Sequence, residues 1–197
     1  MKQLTFSQYR KIDITLLCAL TAVFEYVATI ATNSWFSLQA MAVSITLSMT
    51  CITMFRWGAL AVFPSLVGSL VYCIASGAAA NQFVIYCVGS LFCIASLPLL
   101  MAFGKEKTKT DFFKRLFFTV VTYVSVAIGR WLVSLFYHFS IDSFIGFLIV
   151  DVISLLFAII ILSLLNNTDG MIEDQKSYLF RLERERKEEA ENANDNF

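Results

Sequence analysis

A single histidine, two prolines and five cysteines without paired spacing leave this 197-residue chain little material for catalysis. One imidazole cannot build the nitrogen-rich site that nickel or cobalt favours. No metal-spaced cluster and no activated nucleophile is in view, so an enzyme is the least expected class, and no cofactor is expected. No P-loop or other nucleotide motif occurs, so any ATP-driven work needs a separate subunit. Net charge is zero, and no nucleic-acid partner is expected. Strict apolar–polar alternation is also missing, which excludes the strands of a membrane β-barrel. The cysteines (Cys18, Cys51, Cys73, Cys87, Cys93) all fall in long apolar runs and read as small, polarisable packing residues.

What the chain does have is apolar length. It is 58% hydrophobic with a mean hydropathy of +0.71, where soluble domains run nearer 45–50% apolar. Residues 14–32, 38–55, 57–76, 83–103, 116–137 and 143–165 are each long enough, at about 1.5 Å per residue, to cross a hydrocarbon layer of about 30 Å. The first run lacks a convincing cleavage site and is longer than a signal-peptide core, so it is read as a retained helix. The expected fold is an all-α integral membrane protein: a six-helix transmembrane bundle over residues 1–165 and a tail over 166–197. With six spans both termini share one side, and that side holds fourteen of the fifteen Lys and Arg. The opposite side holds none; Arg130 lies within the fifth run. Such polarity places both termini in the cytoplasm; the expected location is a bacterial plasma membrane.

Small residues four apart (Ala40, Ser44, Ser48; Ala61, Ser65, Ser69; Gly89, Cys93) mark faces where helices approach closely. Pro64 and Pro98 are expected to kink their spans. In the tail, Thr168 or Asp169 is placed to cap an amphipathic helix, with Met171, Ile172, Tyr178, Leu179 and Leu182 on one face. That helix suits the membrane surface or a cytoplasmic partner. Residues 190–197 read as disordered.

The sharpest feature is buried charge. Residues 125–139, SVAIGRWLVSLFYHF, carry Arg130 inside an apolar run. Counting from the loops, Glu25, Arg130 and Asp151 all fall about 12–14 Å below the outer surface. A charge at that depth costs at least about 2.5–3.5 kcal/mol unless it faces the bundle interior and finds a partner. Two carboxylates face one guanidinium, so one acid is left to be protonated, to reach water or to meet a ligand. The layer is either a structural ion pair or part of a site for a small organic solute, and the two readings overlap. Candidate binding residues are Glu25, Arg130, Trp131, Asp151, His138, Asn81 and Gln82, with Tyr26, Trp35, Gln39, Tyr86 and Tyr137 nearby.

Six helices in about 200 residues, short external loops, a polar outer half and the stretch RWGALAVFPSLVGSLVYCIASG (56–77) resemble the substrate-binding S components of energy-coupling factor (ECF) transporters. That resemblance implies capture of a vitamin or vitamin precursor from outside, with a membrane coupling subunit and cytoplasmic ATPases as partners. It also implies a docking face on the first helix, where LLCALTAVFEYVA offers Cys18 and Ala22, with Ala19 adjacent. In size and helix count the chain is also similar to the MreD family of cell-shape scaffolds, for which the charges would form a sealed pair and the tail would do the work.

Overall fold

In the computed structural model every regular element among the described residues is helical; described are residues 6–35, 42–140, 142–166, 174–175, 177–181 and 184. The helices are α1 (Phe6–Trp35), α2 (Thr46–Trp57), α3 (Val62–Ala75), α4 (Ala80–Ser90), α5 (Leu97–Phe103), α6 (Lys105–Thr110), α7 (Phe112–Leu135), α8 (Ser143–Val150) and α9 (Val152–Leu165). Four helical stretches are long and apolar enough to cross a membrane: Phe6–Ser34, Thr46–Ala75, Ala80–Phe103 and Phe112–Leu135. A fifth is α8–α9 if that pair, bent by 41°, is one span.

The Thr46–Ala75 stretch is not a straight rod. Gly58 has φ +62, and a Cβ on Gly68 would collide with the Thr46 side chain. In a straight helix those two residues would stand about 33 Å apart. The chain therefore reverses at Gly58, and α2 lies antiparallel to α3. Tight 3-10 turns at Gly58–Ala61 and Leu91–Ser96 directly precede the two prolines. Each proline lacks an N–H and crowds the carbonyl four residues back, so the helix tightens before it.

Burial is inverted relative to a soluble protein. Thr21, Thr29, Ser48, Thr50, Thr53, Ser65 and Ser69 are buried, while Ile74, Met101, Phe113, Phe136 and Leu164 are exposed. Most of the interior threonines satisfy themselves by donating to the carbonyl four residues back, as Thr21 does to Leu17 (2.7 Å), Thr50 to Thr46 (2.7 Å) and Thr53 to Met49 (2.7 Å). The apolar core, toward the basic end, centres on Phe55 and Phe118, whose rings meet edge-on at 5.2 Å, with Met54, Leu100, Leu162, Cys51 and Cys93 around them. The small-residue faces lie inside: Ser48, Ala61, Ser65, Ser69, Gly89 and Cys93 are all buried, and Ala40 lies outside the described residues.

Helices α4 and α7 approach each other closely. A Cβ on Gly89 would stand 2.7 Å from the Arg130 backbone, and one on Gly129 2.5 Å from the Gly89 carbonyl oxygen. Neither can be relieved by a rotamer change, because the obstructing atoms are backbone. Gly89→Ala should therefore cost about 1–3 kcal/mol or more. Gly146→Ala, where nothing lies within 4 Å, should be neutral or stabilising by up to about 1 kcal/mol. Thermal unfolding of the two variants in detergent separates them; equal effects would mean that α4 and α7 do not meet this closely.

At the basic end, Arg56 grips Asp13 through two nitrogens (2.7 and 3.0 Å), and the Trp57 indole donates to the same carboxylate (2.5 Å). Lys105 pairs with Asp174, and Tyr9 donates to Gln175 (3.1 Å), which holds the described part of the tail against this end. Tyr178 and Leu179 are half-buried, while Thr168, Asp169, Met171, Ile172 and Leu182 lie outside the described residues.

Candidate functional site

Two interruptions of helix meet in the half of the bundle away from the basic end. Residues 42–44 have no regular structure and lead into α2, and α8 gives way to α9 at Asp151. Backbone groups exposed by such breaks need partners, since lipid supplies none. Here the breaks serve each other: Ala42 N–H donates to the Val150 carbonyl (2.9 Å), Ser44 N–H to Ser154 Oγ (2.8 Å), and Ser154 Oγ to the Ala42 carbonyl (3.2 Å).

Glu25, fully buried on α1, closes the start of α2. Its Oε2 accepts from the N–H of Ile45 (2.8 Å) and Thr46 (3.0 Å), and from the hydroxyls of Ser44 (2.9 Å) and Thr46 (2.9 Å). These are donors that the first turn of a helix leaves unmade, and an anion suits the positive end of the helix dipole. Its Oε1 is buried without a hydrogen-bond partner.

Arg130 on α7 forms an ion pair with Asp151 at the α8–α9 joint, through Nη1 and Oδ2. The guanidinium carbon lies 4.4 Å from the centre of the Tyr86 ring, a cation–π contact. Tyr72 stands beside Tyr86 at 5.1 Å, and Phe147 meets Tyr86 edge-on at 6.3 Å. Arg130 Nε has no hydrogen-bond partner, and neither has the buried hydroxyl of Ser69.

Around the pair lie two adjoining hollows of about 30 and 10 Å³, which share Ser44, Thr46, Ser69, Arg130 and Asp151 as lining. At roughly 10–15 Å³ per water the first has room for two or three waters and the second for no more than one. A larger vestibule of about 370 Å³ lies beyond, lined by Thr29, Thr32, Asn33, Ser76, Gln82 and Val150 among others. Tyr72 and Tyr86 line both the smaller hollow and the vestibule. They form the wall between a solute-sized space and a buried charge pair.

The predicted residues thus divide. Arg130 and Asp151 meet; Glu25 lies one helix start away, bonded to Ser44 and Thr46, which face the same hollow. Gln82 lines the vestibule and accepts from Ala79 N–H (2.9 Å) at the start of α4. Asn81 accepts from Gln82 N–H (3.0 Å) and lines none of these spaces. Trp131 turns to α8, its ring 5.8 Å from Phe144, with Nε1 unpartnered. His138 is exposed at φ +61 and ends α7: its N–H donates to the Leu135 carbonyl and that of Phe139 to Ser134, the pattern of a left-handed helix stop. Tyr26 and Tyr137 are exposed, Gln39 lies outside the described residues, and so does the Trp35 side chain. On α1, Cys18 and Ala22 are half-buried and Ala19 is exposed, flanking the buried stripe Leu17, Thr21, Glu25, Thr29, Thr32.

Tyr72, Ser69, Ser44, Thr46 and Ser154 were not singled out as site residues by sequence. Ser44 and Ser69 did belong to the small-residue stripes, and that periodicity was the signal pointing to them. No protein-family model, curated protein or solved structure matches the chain.

Proposed function

We propose that this protein is a membrane-embedded capture subunit for a small organic solute of the vitamin or vitamin-precursor class, energised by separate coupling and ATPase subunits in the manner of the ECF S components. On this reading the chain crosses the plasma membrane six times, the reversal at Gly58 dividing the second crossing from the third. The basic end then faces the cytoplasm with both termini, and the vestibule opens outward. One observation carries the reading: Tyr72 and Tyr86 separate a vestibule of about 370 Å³ from a buried Arg130–Asp151 pair. That volume falls within the range of about 300–1,000 Å³ typical of small-ligand sites. A charged pair one aromatic layer behind an open polar space suits a solute-binding site in a bundle. A sealed structural pair would have no need of the space.

The second reading is a scaffold of the MreD type. It draws on the docking of Asp174 and Gln175 against the basic end, which would present the tail to a cytoplasmic partner.

Solutes released from detergent-purified protein, measured by mass spectrometry, decide between them. Capture predicts a small organic molecule enriched with the wild type and lost with Arg130→Ala, provided the variant elutes as a folded peak. The scaffold predicts no enriched solute, and loss of function on deletion of residues 170–197.

A further inference from the structure

We infer that the solute is net uncharged and presents a hydrogen-bond acceptor and a donor side by side, as an amide or lactam edge does. This rests on the capture reading above and specifies what that site selects. The described lining of the vestibule includes no acidic or basic side chain, so an ionic solute would meet dipoles there but no counter-charge. Behind it the two charges cancel.

The ion pair is the selective element. An anion drawn to Arg130 displaces Asp151 and leaves a buried carboxylate unpaired; a cation drawn to Asp151 strands the guanidinium. An edge with an acceptor beside a donor satisfies both at once, because Arg130 only donates and an ionised Asp151 only accepts. Glu25, whose Oε1 has no hydrogen-bond partner, stands outside these spaces. Its Oε2 already takes four donors.

Two unused donors face the same place. Arg130 Nε and Ser69 Oγ are buried without partners; Ser69 is 2% exposed and lines both small hollows. They add donors for a second acceptor on the same edge. The Tyr86 ring over the guanidinium and the Tyr72 ring beside it give the approach a flat aromatic flank, which suits a planar solute. The small hollows hold only water-sized groups. The polar edge therefore replaces waters there while the body of the solute occupies the vestibule.

The test compares full-length wild type with the double variant Arg130→Met/Asp151→Leu, which removes the pair without stranding either charge. Both are purified in detergent and the small molecules they release are analysed by liquid chromatography–mass spectrometry in both ion polarities. The expected result is a solute of zero net charge at pH 7, at least about tenfold depleted in the double variant, which is the loss produced by about 1.4 kcal/mol of binding. Enrichment of a solute with net charge overturns this inference and leaves the capture function standing. No solute enriched over a monodisperse double variant overturns both.

Discussion

Removing Arg130 alone should be among the most damaging single changes available in this chain, and removing its partner as well should largely repair it. Arg130→Ala leaves the Asp151 carboxylate buried and unpaired, a loss of about 3–5 kcal/mol. The side chains of the pair are only 10% and 14% exposed, so solvent screening offers little relief. Arg130→Met/Asp151→Leu replaces both charges with apolar groups of similar volume, a change that is often neutral or stabilising by about 1–4 kcal/mol. Unfolding of the three proteins in the same detergent measures the difference. If the single variant proves as stable as the double, the pair is not closed in the folded protein.

Glu25→Leu is the second large effect. It strands the Ile45 N–H and the Thr46 hydroxyl at the start of α2, while the Thr46 N–H keeps a longer bond to Ser44 Oγ (3.2 Å). At about 1–3 kcal/mol for each buried donor left unmade, the loss is about 2–6 kcal/mol. Glu25→Gln retains an acceptor oxygen and should lose far less. The contrast separates a capping role from a charge role: if Gln is as damaging as Leu, the negative charge itself is what α2 needs. Because Glu25 lines neither hollow, Glu25→Gln should also leave solute enrichment unchanged.

The depth count that set Glu25, Arg130 and Asp151 at one level used only the rise per residue of a helix and the positions of polar loops. It grouped residues the fold does bring near one another, because a membrane restricts the axial coordinate of every span. Rotation about each helix axis is not restricted in that way. This is why Trp131, adjacent to Arg130 in sequence, turns instead to Phe144, and why His138 belongs to a helix stop.

Glu25 exposes a second limit. Two of its four donors are backbone N–H groups, which carry no residue signature. The unwinding of residues 42–44 that frees them contains neither proline nor glycine to announce it. By contrast Gly58, beside Arg56 and Trp57, stands where the apolar runs 38–55 and 57–76 meet, and its positive φ favours a residue without Cβ. The prolines, expected to kink their spans, stand just beyond the two 3-10 turns.

The three hydrogen bonds that fasten residues 42–44 to the α8–α9 joint make one hinge out of two. On the capture reading, a solute edge between Arg130 and Asp151 would shift the joint, and these bonds would carry the shift to the beginning of α2. That beginning is held by Glu25 on α1, and α1 and α2 are clasped again at the far end by Asp13 and Arg56. The helix breaks beside the vestibule and the Asp13–Arg56 clasp at the basic end are thereby tied together through the same two helices, α1 and α2.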